Sequence, residues 1–82
     1  MASPVASVVE TVARGLVDAP DQVRVTEKVQ GGTTLVELTV AQADTGKVIG
    51  RQGRIAEAIR TLVAATAHQA GVKAVLEIRD PE

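Results

Sequence analysis

The chain contains no cysteine, no phenylalanine, no tyrosine and no tryptophan in its 82 residues. Without cysteine there are no disulfide staples and no thiolate chemistry, which fits a reducing compartment. Without aromatics, a base-stacking platform of the RRM or OB type is excluded. Strong net charge is also missing: nine basic residues stand against ten acidic ones. That balance argues against strong nonspecific binding to nucleic acid. No apolar run approaches the ~18 residues of a membrane span. The start, Met1-Ala2-Ser3-Pro4, lacks the basic segment and apolar core of a signal peptide. The expectation is a soluble, cytoplasmic protein with no membrane contact. The length predicts one small domain over residues 1–82.

What is present is concentrated in one stretch, Gly46-Lys47-Val48-Ile49-Gly50-Arg51-Gln52-Gly53-Arg54-Ile55. Gly50 and Gly53 bracket a four-residue turn, where glycine permits positive φ and close approach of another backbone. A helical pattern follows directly, so free N–H groups and a positive dipole end lie beside the turn. Lys47, Arg51 and Arg54 add positive charge. Residues 44–60 carry Lys47, Arg51, Arg54 and Arg60 against Asp44 and Glu57, a local balance of +2 in a chain of net charge −1. The rest of the chain is therefore acidic, and the positive charge gathers at the turn. Together these features suit a phosphodiester backbone. A bare G-x-x-G also occurs in ordinary helix-to-helix turns, so the flanks carry the functional reading.

Along the chain, Ser3 and Pro4 read as N-cap and first residue of a helix over about 4–18. Its apolar face is Val5, Val8, Val9, Val12 and Leu16, and Pro20 stops it. Asp21 to Val29 alternates as a strand. Gln30-Gly31-Gly32-Thr33 signals a hairpin, and Thr34 to Val40 is the second strand. A short helix is expected from about Ala43 to Ile49, with Gly46 inside it for a packing reason. After the turn, Ile55, Ala58, Ile59, Leu62, Val63 and Ala67 mark a helix from Arg54 to His68 or Ala70, closed by Gly71. Val72 to Arg79 is the last strand. The order is helix, strand, strand, helix, helix, strand. It predicts an α+β sandwich: a three-stranded mixed sheet, order 1-2-3, with three helices on one face. Strands 1 and 2 should pair antiparallel, and strands 2 and 3 parallel.

This order, with Val48-Ile49 leading into Gly50-Arg51-Gln52-Gly53 between the two middle helices, resembles a type II KH domain. The extra helix and strand precede the βααβ unit, whereas type I domains place them after it. The resemblance covers nearly the whole chain: a core of about 21–79 and an N-terminal helix of about 4–18. The longer string from Gly46 to Arg54, followed by Ala58-Ile59-Arg60-Thr61-Leu62, is similar to small stand-alone bacterial KH proteins of the KhpA type. One departure is Ala56, where many KH domains carry a larger aliphatic residue.

The resemblance implies that single-stranded RNA lies in a narrow groove, with the backbone of Gly50, Arg51, Gln52 and Gly53 against its sugar-phosphates. Lys47, Arg51 and Arg54 would supply charge, and Ile49 and Ile55 would touch bases. It further implies a role as RNA chaperone or post-transcriptional regulator, a homodimer, and pairing with a larger KH-containing partner of the KhpB (Jag) type. The alternative is a protein-interaction module, acting mainly as a subunit with little RNA binding of its own. An enzyme is not expected. The glycine spacing matches neither G-x-G-x-x-G nor a Walker A loop. The lone His68 reads as a surface residue near a helix C-terminus. No metal site, catalytic set or cofactor is expected. Glu10, Asp18, Asp21, Glu37 and Glu77 read as solvated carboxylates.

Overall fold

Ser3 opens the first helix. Its Oγ accepts the Ala6 N–H at 3.1 Å and donates to Glu27 on the first strand. Helix α1 spans Pro4–Leu16 and buries Val5, Val9 and Ala13. It ends two residues before the expected Asp18. Val17 turns into extended geometry and carries its side chain into the core. The structure, a computed structural model, describes residues 3–81. Met1, Ala2 and Glu82, which the one-domain expectation includes, lie outside the described residues.

Pro20–Gln22 forms a 3-10 turn. Strand β1 therefore runs Arg24–Gln30, starting three residues later than the expected Asp21. Gly31 and Gly32 have φ of +56° and +81°. Two positive φ values match the primed hairpin turns that fit right-twisted strands. Strand β2, Thr33–Thr39, pairs antiparallel with β1 from Gln30↔Thr33 to Arg24↔Thr39. A 3-10 turn at Gln42–Asp44 leads into helix α2, Thr45–Ile49. The glycine turn follows, and then helix α3, Arg54–Ala70.

Gly71, at φ +72°, ends α3. Its N–H reaches the His68 carbonyl at 3.1 Å, and the Val72 N–H reaches Ala67 at 3.0 Å. This Schellman pattern satisfies the last carbonyls and turns the chain into strand β3, Lys73–Ile78. Strand β3 lies parallel to β2, and the order is β1-β2-β3. The predicted mixed sheet and the helix-pair crossover are both present.

One face of the sheet carries Val36, Leu38 and Leu76 into a core shared with Val9, Val48, Ile59 and Val63, all at most 4% exposed. Each such aliphatic side chain contributes about 1.5–3 kcal/mol on burial, so a core without aromatics rests on many modest terms.

The other face corrects one reading. Glu37, expected in solvent, is only 5% exposed. Lys28 from β1 approaches it at 3.3 Å, and Arg79, beyond β3, also pairs with it. The Arg79 hydrogen bond, opposed by burial and aided by Lys28, holds this carboxyl below the usual glutamate range.

Candidate nucleic-acid interface

The turn between α2 and α3 has an unusual backbone. Gly50 sits at φ +76°, ψ 173°, Gln52 at +58°, 24° and Gly53 at +73°, 15°. The Gly50 conformation is essentially restricted to glycine. Gln52 is the one non-glycine residue with positive φ among the described residues. Such backbones cluster at ligand clamps, where the surroundings hold the strain. The turn is closed by Gly53 N–H to the Gly50 carbonyl at 3.1 Å, while Gly50 N–H caps α2 through Gly46 at 2.9 Å. Gly53 adds no side-chain cap to α3. The positive end of a 17-residue helix thus adjoins the turn.

Arg51 and Gln52 are exposed at the tip, and Arg54 is exposed one residue beyond Gly53. Neither Arg51 nor Arg54 meets a carboxylate among the described residues. Arg60, one turn further on, pairs with Glu57 at 3.7 Å. Ile49 is 38% exposed, leaving an aliphatic surface just before Gly50. Ile55 faces the other way: it is half-buried, packs against the core and covers the Cα of Gly50. Ala56, the departure from the larger aliphatic residue of many KH domains, is buried at 4% exposure.

Lys47 has a different environment from the arginines. Its Nζ lies 3.0 Å from Asp18 and 3.1 Å from Asp44. Bonds to Asp18 first, then Asp44, raise its pKa above the ordinary lysine value. Asp44 is 2% exposed, and its Oδ2 accepts the Ala19 N–H at 3.0 Å. Burial pushes the Asp44 carboxyl upward. Hydrogen bonds from Lys47 and the Ala19 and Asp18 amides outweigh it, and the group stays below the usual aspartate range. Asp18 and Asp44 were absent from the sequence-derived site. The i,i+3 spacing of Asp44 and Lys47 was a readable signal, whereas the approach of Asp18 depends on how α1 packs.

Among the described residues no cluster of three or more His, Cys, Asp or Glu is placed to hold a metal ion. No helix there is long and apolar enough to cross a membrane.

A glycine turn joining two helices of an αββααβ chain, on a sheet with one antiparallel and one parallel pair, defines a type II KH domain. A family profile described as the KH domain of KhpA/KhpB matches residues 6–78. The RNA-binding protein KhpA of Clostridium acetobutylicum is 51% identical over 69 residues, covering 84% of this chain and 92% of that one. KhpA of Aquifex aeolicus is 49% identical over 76 residues, covering 93% and 96%. This chain belongs to the KhpA/KhpB family of KH domains. Its fold is also similar to part of Aquifex aeolicus Era bound to GDP and AlF4−, with a TM-score of 0.64 and 17% identity. A second Era structure, in complex with a segment of 16S ribosomal RNA, gives a TM-score of 0.59 at 18% identity. This chain spans 29% of the length of each Era chain, and the likeness shows the fold alone.

Proposed function

We propose that this protein binds single-stranded RNA through the turn Gly50–Gly53 and acts as an RNA chaperone or post-transcriptional regulator. The observation that carries this reading is the turn itself: three positive-φ residues, with Arg51 among them and Arg54 just after, neither meeting a carboxylate among the described residues, against the amino end of α3. Amides of the turn and the guanidinium groups of Arg51 and Arg54 meet the sugar-phosphate backbone. Gln52 adds a hydrogen bond, and exposed Ile49 touches a base. Ile55 supports the turn from beneath. The name of the KhpA relatives, RNA-binding protein, agrees with this reading.

The whole chain, residues 1–82, acts as one KH domain working on RNA in the cytoplasm, without a catalytic step. A KH module holds about four nucleotides, and without aromatic stacking each base contributes less than the ~1–3 kcal/mol of a stacked one. Weak single-site binding becomes useful when sites are linked. We therefore assign the protein a homodimer, or a complex with a larger KH-containing partner of the KhpB type. The family name, which joins KhpA and KhpB, supports the second.

Fluorescence anisotropy with a labelled single-stranded RNA, and with the same strand in a duplex, tests the reading. Saturable binding that prefers the single strand is expected. No binding to either at high micromolar protein would overturn it in favour of a subunit that acts through protein contacts.

A further inference from the structure

Helix α2 has five residues, Thr45–Ile49. A helix this short does not hold itself in water, because nucleation is costly. Its position, and with it the position of Gly50, is set by anchors. One is Val48, fully buried in the core. The other is the carboxylate of Asp44 at the start of α2. Its Oδ2 takes the Ala19 N–H at 3.0 Å and its Oδ1 takes Lys47 Nζ at 3.1 Å. Lys47 then spans back to Asp18 at 3.0 Å. Asp18 and Ala19 belong to the connection after α1. The helix that leads into the glycine turn is thus tied to that connection through one buried carboxylate and one ammonium.

The energetics distinguish Lys47 from the two arginines. Moving the ammonium to a phosphate would strip Asp44, a buried charge, of its counter-ion. A buried carboxylate left without its charged partner is costly, and because the Lys47 end of the pair is 42% exposed the cost falls on the placement of α2 rather than on the whole fold. Arg51 and Arg54 carry no such obligation. We propose that Asp44 and Lys47 are positioning residues for the RNA-gripping turn, and that Lys47 acts on RNA through the turn without contacting phosphate. This rests on the RNA-binding reading above, and it removes Lys47 from the expected phosphate contacts.

The test compares wild type, Lys47→Met, Lys47→Arg and Asp44→Asn in anisotropy titrations over a range of salt. Thermal melts and amide spectra without RNA are recorded on the same samples. A direct phosphate contact contributes about −0.7 to the log–log salt slope on single strands. Lys47→Met is expected to leave the slope unchanged while weakening binding at every salt, by about three- to tenfold. Lys47→Arg should recover most of the loss. Asp44→Asn removes a negative charge near the turn, which by charge alone would tighten RNA binding; it is expected to weaken it. In free Lys47→Met, the amides of Gly50–Gly53 should shift while those of Val36 and Leu38 stay in place.

A slope shallower by about 0.7 in Lys47→Met, unchanged affinity in that variant, or tighter binding by folded Asp44→Asn would overturn the proposal. Should Asp44→Asn fail to fold, the Lys47 variants still decide, because that side chain is 42% exposed. Should wild type bind no RNA, the RNA reading fails separately. The free-state amides then test the positioning alone, and an unmoved turn in folded Lys47→Met overturns it.

Discussion

Ile55 closes over Gly50. A Cβ placed on Gly50 would lie 2.6 Å from Cγ1 of Ile55 and 2.9 Å from its Cβ. The Ile55 Cβ cannot swing away, so the side chain and the turn must shift together. A Cβ on Gly53 meets nothing within 4 Å. The two glycines of the turn are therefore required for different reasons: Gly53 for its left-handed φ alone, Gly50 for its φ and for contact with Ile55. Gly53→Ala is expected to cost about 1–2 kcal/mol, the left-handed penalty. Gly50→Ala should cost about 1–3 kcal/mol more, because its backbone region is harder for alanine than the left-handed one and overpacking against Ile55 is added. Urea unfolding of both variants measures the difference. Equal losses would show that neither the Gly50 backbone nor Ile55 adds a cost.

Gly46 behaves differently. The expected packing reason is not there, since a Cβ on Gly46 would meet nothing within 4 Å and its φ is not positive. Alanine suits a helix better than glycine by about 1 kcal/mol. Gly46→Ala should therefore stabilise the protein by up to about that amount in the same urea assay. A destabilised variant would mean that α2 needs freedom at this point.

Acid should weaken the fold through two carboxylates. Asp44 and Glu37 both have folded-state pKa values below their ordinary ones. Between the folded and unfolded values the unfolded state binds more protons, so stability rises with pH there. Their contribution is present above the ordinary carboxylate range, at about pH 4, and is lost as pH falls below it. Lys47 is raised, so its contribution is present at neutral pH and is lost as pH climbs above the usual lysine value, about 10.4. Glu37→Gln should flatten the acid limb of a stability–pH profile relative to wild type. An unchanged limb would show that the Arg79 and Lys28 contacts do not favour the ionised form.

Salt dependence should be shallow. With Arg51 and Arg54 as the two phosphate contacts, the log–log slope on single-stranded RNA is expected near −1.4, at about −0.7 for each contact. A slope several times steeper would place a larger basic surface on the RNA, such as one built across a dimer.

The extent to which this architecture was legible differs from residue to residue. Val36 and Leu38, Ile59 and Val63 announced their elements by period alone, and the Gly31-Gly32 turn and Gly71 cap announced their ends. Boundaries near Pro20 were less readable. Proline can end a helix or begin a 3-10 turn, and here Val17 had already left the helix to reach the core. The carboxylates were least readable. Glu37 occupies an outward position of β2, and one of the two cations that pair with it there, Arg79, comes from 42 residues away. Lys47 looked equivalent to Arg51 and Arg54, and only the fold brings Asp18 against it. Local pattern locates the glycine turn; which charges around it remain unpaired is decided by contacts between distant segments.

The central claim is that the turn grips RNA, and its most direct test is the double variant Arg51→Asp with Gln52→Asp. Both residues are exposed at the tip. Aspartate tolerates the left-handed conformation of Gln52 better than most residues, and acidic groups suit the amino end of α3. Surface changes of this kind usually shift stability by about 0.5 kcal/mol or less. Two carboxylates facing phosphates, where one guanidinium stood, should cost RNA binding far more. Circular dichroism, hydrodynamic size and RNA titration on one sample are expected to show a folded variant with unchanged self-association and at least a tenfold loss of RNA affinity, about 1.4 kcal/mol. A folded variant that binds RNA as wild type does would contradict the account.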